Sequence, residues 1–223
     1  MEWLRAESGL RYRVAPSGEV VVRLDPGEAV LAESSRLVYR RGEVDWSLAD
    51  GGRGVLAGWV TRTQRRAVGM EPRMSRYEGA GEVGFAPASP GMVVPVELAP
   101  GAADVVCQAE SLVALEAGIR TEVALVRRIR EAGSRTKLAM IWLRGEGVAF
   151  LCAHGTPVPV TLEEGEAVEA AWWAVAWHEA TAEYRILTAG RSAMVRDTRT
   201  LMARITGPGR VVLQGQRGGM RGW

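Results

Sequence analysis

Two histidines and two cysteines are the residues of this chain best suited to chemistry: His154, His178, Cys107 and Cys152. Cys152 and His154 are two apart, so on a strand they share a face. With His178 and Glu179 they would supply the ligand types that zinc takes. His154, however, directly precedes Gly155, which marks a turn residue, and Cys152 follows Phe150-Leu151, which marks a core thiol. The cupin pattern of two histidines separated by one residue and then a glutamate is missing, so no metal is assigned. A Cys–His nucleophile pair would draw on the same four residues. A reactive thiol needs access and a lowered pKa, whereas both cysteines sit in apolar runs. There is no Gly-x-Ser-x-Gly elbow. The carboxylates Asp25, Glu28, Glu163, Glu164 and Glu166 fall in turns, where solvation accounts for them. No catalytic residue is assigned.

Gly79-x-Gly81-x-x-Gly84 matches the dinucleotide fingerprint letter for letter. That motif holds a phosphate only where a helix follows it. Here Phe85-Ala86-Pro87-Ala88-Ser89-Pro90 follows, and two prolines in six residues cannot continue a helix. A turn is the better reading, and no cofactor is assigned. Two arginine clusters could grip phosphate in nucleic acid or anionic lipid. One is Arg62, Arg65 and Arg66, in a basic stretch that continues to Arg73 and Arg76; the other is Arg127, Arg128 and Arg130. The formal charge is only +2, from 28 basic and 26 acidic residues, which favours a solvated, ion-paired surface. Trp172, Trp173 and Trp177 crowd one segment. Core packing explains them first and a subunit interface second. A membrane-interface belt or a base-stacking platform comes third.

The elements that must position these residues follow from composition and periodicity. With 223 residues, 47% hydrophobic and 24% charged, the chain is globular rather than disordered. The start has no signal-peptide layout, and no run of about 18 apolar residues exists to span a membrane as a helix. Two cysteines without a disulfide framework suit a reducing cytoplasmic setting. With 27 glycines and 10 prolines, the chain must turn often, which favours short strands.

Alternation supports this. Val20-x-Val22-x-Leu24, Val94-x-Val96-x-Leu98 and Val158-x-Val160-x-Leu162 each end in a turn closed by Gly27, Gly101 and Gly165. The first and third copies continue identically as Gly-Glu-Ala-Val. Period 2 places the valines and leucine of each copy on one face, so three such faces can converge on a core. Pro95 and Pro159 occupy matching outward positions. Proline cannot donate to a ladder, so these strands are expected at edges or bulges. Second strands follow at Val30 to Tyr39, Val105 to Leu115 and Val168 to Tyr184, the last either one strand or a pair. Glu122 to Ala132 and Arg199 to Ile205 fit helix or strand. The expectation is a single all-β domain over 1–215 with little helix. It is divided into pseudo-repeats of about 9–78, 79–144 and 145–215, with a flexible tail at 216–223.

Several of these segments, taken together, resemble a known family. They are Leu24-Asp25-Pro26-Gly27-Glu28; Gly79 to Phe85 with Pro90-Gly91; Gly145 to Phe150; and Gly207-Pro208-Gly209 with Gln214. In that order and spacing they are similar to the altered-inheritance-of-mitochondria family, long catalogued as a bacterial domain of unknown function. The resemblance runs from about residue 9 to 215. It implies a TRAP-like fold, the double-stranded β-helix named for the tryptophan-binding RNA attenuation protein, and it implies oligomers. Mitochondrial relatives are linked to inner-membrane organisation. The resemblance carries over no catalytic residues, and the basic stretch Arg62 to Arg76 departs from the common pattern.

The leading expectation is therefore a bacterial, non-catalytic, homo-oligomeric β scaffold or binding protein, with a trimer favoured and an anionic membrane surface or a membrane protein as a further partner. The alternative is an arginine-mediated module for RNA or another polyanion. The third reading is a small-molecule enzyme of the β-helix class, using a partly buried group such as His178.

Overall fold

The computed structural model describes residues 2–49, 74–131, 134–188 and 201–217. These residues are all β, with three single 3-10 turns and no α-helix among them. The strands begin with β1 (Leu4–Arg5), β2 (Arg11–Val14), β3 (Val20–Leu24), β4 (Ala29–Glu33), β5 (Leu37–Leu48) and β6 (Met74–Phe85). There follow β7 (Met92–Leu98), β8 (Val105–Gln108), β9 (Leu112–Glu116), β10 (Arg120–Glu131), β11 (Ser134–Arg144) and β12 (Gly147–Ala153). The last are β13 (Pro157–Leu162), β14 (Ala167–Ala171), β15 (Val175–Glu179), β16 (Glu183–Thr188), β17 (Leu201–Thr206) and β18 (Gly209–Gln214). They form three antiparallel sheets, ordered β1-β2-β3-β6-β4-β9-β12-β7 with β5 beside β6, β10-β11-β8-β15-β18-β13, and β14-β17-β16.

The Val-x-Val-x-Leu segments are β3, β7 and β13. The turn after each closes in the same way: Glu28 N–H donates to the Asp25 carbonyl, Ala102 to Ala99 and Glu166 to Glu163, at 2.9–3.0 Å. Gly27, Gly101 and Gly165 hold φ of 93°, 80° and 77°, the left-handed region that glycine adopts without penalty. The Glu28 carboxylate accepts from Asp25 N–H at 2.8 Å, and Glu166 from Glu163 N–H at 3.0 Å. That bond gives the shared Gly-Glu its physical purpose.

Each unit repeats one pairing scheme. Its first strand bonds its closing strand with leucine opposite glycine: Leu24 to Gly81, Leu98 to Gly147, Leu162 to Gly209. Four residues earlier on the return path, Tyr77 faces Val30, Leu143 faces Val105 and Ile205 faces Val168. A bulge follows at the same place, between Leu37 and Tyr39, at Leu112–Ala114 opposite Phe150/Leu151, and between Val175 and Trp177. In unit one, β5 and β6 run continuously where the later units break into separate strands. The expected bounds 79–144 and 145–215 put Gly79 to Phe85 and Gly147–Ala153 at the start of units two and three, whereas their hydrogen bonds join them to β3 and β7 of the unit before, so the units counted by pairing close at Phe85, Ala153 and Gln214.

Two expectations need correction. The second strands at Val30 to Tyr39 and Val105 to Leu115 are not continuous, and Val168 to Tyr184, open to division, falls into β14, β15 and the start of β16. Single turns at Ser34–Arg36, Ala109–Ser111 and Trp172–Ala174 break them, and the first two close when Leu37 and Leu112 donate to Ser34 and Ala109 carbonyls. After the break the chain bonds a different neighbour. The repeat faces are also not equally buried. Val20, Val22 and Leu24 are all buried, whereas Val94, Val96 and Val160 are half-buried and Val158 is exposed. β3 is covered on its outer side by β2, while β7 and β13 end their sheets. Pro95, Pro157 and Pro159 thus lie on terminal strands, as missing N–H donors require. The ambiguous stretch is strand from Glu122 to Glu131, paired through β10 with β11, and Ala132 lies outside the described residues.

The first core gathers β3, β4, β6 and β12 around Val22, Val30, Phe85 and Phe150. Edge-to-face rings, Tyr12 on Phe150 at 5.1 Å and Tyr77 on Phe85 at 5.2 Å, knit it. A second core, with Leu115, Ile141, Leu151 and Trp177, spans units one to three.

Candidate functional site

The buried polar groups cluster where unit two meets unit three. Gln108 ends β8, 2% exposed. Its amide donates to the Trp172 carbonyl at 3.1 Å and the Val175 carbonyl at 2.7 Å, with Trp173 at 3.4 Å. Gln214 of β18 approaches the same turn. It donates to the Trp173 carbonyl at 2.6 Å and accepts from His154 N–H at 3.0 Å. Two glutamines therefore satisfy the carbonyls that the Trp172–Ala174 turn turns inward. This is a structural lock, since burial leaves such carbonyls no water. At the junction of units one and two, buried Arg36 takes the comparable place. It reaches the Glu110 carbonyl at 3.3 Å and Glu33 at 3.3 Å.

His178 lies on β15, stacked flat on Tyr184 with centroids 5.6 Å apart. Its Nδ1 lies 2.8 Å from the Glu179 carbonyl. A carbonyl only accepts, so Nδ1 carries the proton and Nε2 is an acceptor, buried without a hydrogen-bond partner among the described residues. Burial pushes the His178 pKa below its usual value, against the smaller opposing pull of that carbonyl. His154 reaches the Pro90 carbonyl at 3.3 Å through Nδ1. Cys107 and Cys152 are buried free thiols, pushed up to about 12 and about 11 by desolvation. Burial disfavours the thiolate, which is the form a nucleophile needs, and keeps both sulfurs from solvent. Among the described residues no three of His, Cys, Asp and Glu gather at metal-binding distance. Cys152 and His154 are both buried, and no zinc group forms around them among those residues.

Arg62, Arg65, Arg66 and Arg73 lie outside the described residues. Arg127, Arg128 and Arg130 lie on β10, opposite Leu138, Lys137 and Arg135. Arg76 pairs with Glu78 at 2.7 Å. Trp172 and Trp177 are buried, and Trp173 is half-buried. The turn breaks the strand parity that would have put Trp173 and Trp177 on one face. Trp177 fills an interface inside the chain, opposite Cys107 across the junction of units two and three.

The exposed feature that single-residue chemistry missed is β5. All of it except Val44 is exposed, and among the described residues it bonds only β6. Val38 is 57% exposed and Trp46 54%, with Leu37, Tyr39 and Leu48 also open to solvent. Arg40 and Arg41 lie between them, and Arg40 donates to the Val44 carbonyl at 2.5 Å. The sequence signal was the density of large apolar side chains on both parities of one strand, more than a one-sided core face supplies. Among the described residues no helix is long and apolar enough to cross a membrane.

Comparison with known proteins fits this architecture. The sequence matches the family described as Mitochondrial biogenesis AIM24 over residues 12–216, and the chain belongs to that family. A Streptococcus pyogenes protein solved by X-ray crystallography is similar in structure, with a TM-score of 0.71 and 18% identity. The likeness covers 93% of this chain and 94% of that one, and at this identity it speaks for the fold alone. No curated protein matches the sequence.

Proposed function

We propose that this member of the AIM24 family is a non-catalytic, self-associating β scaffold of TRAP-like architecture. One observation carries the reading: β5 is a 12-residue edge strand with Leu37, Val38, Tyr39, Trp46 and Leu48 all exposed. Such an edge templates pairing with another chain, and folded proteins cover it or blunt it. Pro95, Pro157 and Pro159 blunt two other terminal strands, whereas β5 carries no proline and pairs only β6 among the described residues. Support for the TRAP-like description comes from three units joined edge to edge through one pairing scheme. The buried high-pKa thiols and the structural use of Gln108 and Gln214 support a scaffold over an enzyme.

A native mass spectrum of freshly purified chain, with sedimentation over a hundredfold range of concentration, tests the reading. A defined multimer is expected, with Trp46→Ser and Leu48→Ser together weakening it. A monomer at every concentration overturns it. Lipid retained on the multimer would add an anionic membrane surface to the scaffold's partners.

A further inference from the structure

The three units are joined by two junctions, and the junctions are the same. In the first, β4 pairs β9 with Ala32 opposite Ala114, Leu31 opposite Leu115 and Val30 opposite Glu116. In the second, β8 pairs β15 with Cys107 opposite Trp177, Val106 opposite His178 and Val105 opposite Glu179. Beyond the last pair, Ala117 N–H donates to the Ala29 carbonyl at 3.0 Å and Ala180 N–H to the Asp104 carbonyl at 2.8 Å. The internal registers make β14 the third-unit counterpart of β4 and β8. Val168 faces Ile205 as Val30 faces Tyr77 and Val105 faces Leu143. They make Leu37–Arg41 the first-unit counterpart of β9 and β15, with the bulge in the same place.

These two counterparts are the ones without a junction. β14 bonds only β17, and Leu37–Arg41 bonds only β6, among the described residues. Their exposure records the missing neighbour. β4, β8, β9 and β15 are buried almost throughout, whereas no residue of β14 is buried and all five of Leu37–Arg41 are exposed. Neither segment contains a proline.

We propose that β14 of one copy pairs antiparallel with Leu37–Arg41 of a second copy, repeating the internal junction. The inherited register sets Ala170 opposite Tyr39, Glu169 opposite Arg40 and Val168 opposite Arg41, with Gly42 N–H donating to the Ala167 carbonyl. The backbone is oriented for this. Gly207 N–H donates to the Glu166 carbonyl at 2.8 Å, so even-numbered residues of β14 face β17. In an antiparallel strand alternate residues bond opposite neighbours, so Ala167, Glu169 and Ala171 point their N–H and C=O groups outward. The central pair sets a carboxylate against a guanidinium, a favourable cross-strand match. The contact is heterologous, since each copy offers one β14 and one β5. It builds closed rings, the smallest being a reciprocal pair in which the contact forms twice, or filaments if the rotation does not close. The inference rests on the scaffold reading and names its partner as a second copy of this chain.

Cysteine cross-linking tests it on the full chain. Ala170 and Tyr39 form a non-hydrogen-bonded pair, whose Cα spacing of about 4.5 Å suits a disulfide. Ala170→Cys and Tyr39→Cys are made in separate chains, mixed and oxidised gently. The native thiols are buried and poorly ionised, so they stay silent. A disulfide at twice the chain mass is expected in the mixture and in neither variant alone, and the double variant gives a ladder that ends where a ring closes. Self-cross-linking of either single variant, or an internal disulfide in the double variant without gain of mass, overturns the inference. A multimer that forms no mixed disulfide overturns it and leaves the scaffold reading intact; a monomer ends both. Glu169→Pro serves as a second variant. It removes an outward N–H while sparing the backbone bonds to β17, gives up only the exposed Arg204–Glu169 ion pair at 3.2 Å, and should weaken association roughly tenfold, the scale of one or two lost hydrogen bonds. Unchanged association with a native circular dichroism spectrum counts against the pairing.

Discussion

Replacing Gln108 with leucine isolates the lock between units two and three. Leucine nearly keeps the volume and removes the amide. The Trp172 and Val175 carbonyls then lose donors at 3.1 and 2.7 Å, and the bond to Trp173 at 3.4 Å is too long to add much. An unpaired buried polar group costs about 1–3 kcal/mol, so losing two bonds predicts about 3 kcal/mol. For a chain of this size each kcal/mol moves Tm by about 2–4 °C, which gives a fall of roughly 6–12 °C. Urea unfolding followed by tryptophan fluorescence reads the same change as a lower midpoint at constant slope. Gln108→Glu supplies an internal check. A carboxylate aimed at carbonyls is held protonated, so its folded pKa is raised. Its stability relative to wild type is then best below the unfolded glutamate pKa of about 4 and is lost as pH rises towards 7. A Gln108→Leu midpoint within about 0.5 kcal/mol of wild type, or a Gln108→Glu variant most stable at neutral pH, would refute the reasoning.

The other predictions test neighbouring parts of the molecule. His178 has a lowered pKa, so the unfolded chain binds its proton first; stability present above about pH 6.5 should be lost as pH falls through the folded value. His178→Phe should flatten urea midpoints compared at pH 7.5 and 5. Cys107 and Cys152, at about 12 and about 11, should resist iodoacetamide at pH 8 in the folded protein and react fully in urea, as counted by intact mass. Gly79 has φ of 127°, and a Cβ there would stand 2.2 Å from the Glu43 carbonyl oxygen of the facing strand. Gly79→Ala should therefore cost at least about 2 kcal/mol in urea unfolding, by strain and by separation of β5 from β6.

Much of the fold was legible because its grammar is local. Period 2 and the glycine after each leucine placed β3, β7 and β13, and the turns behind them share one hydrogen bond. Prolines marked terminal strands because a missing N–H is a property of the residue itself. Other features had no local signature. Gln108 reads as the tail of an apolar run, since its acceptors lie 64 to 67 residues away. Trp172 and Trp173 read as strand, but a single turn carries them across to a new neighbour.

The sequence by itself determined that the chain is all β, that it turns at its glycines and that it repeats three times. Each of these depends on a side chain and its immediate neighbours. The tertiary structure alone decided which strands lie beside which, and so which edges are closed. Leu37–Arg41 and β14 carry apolar residues like their buried counterparts, and their residue types do not separate the open edge from the closed one. Only pairing between distant segments does, because a strand's second row of hydrogen bonds is filled by whatever the rest of the chain brings alongside it.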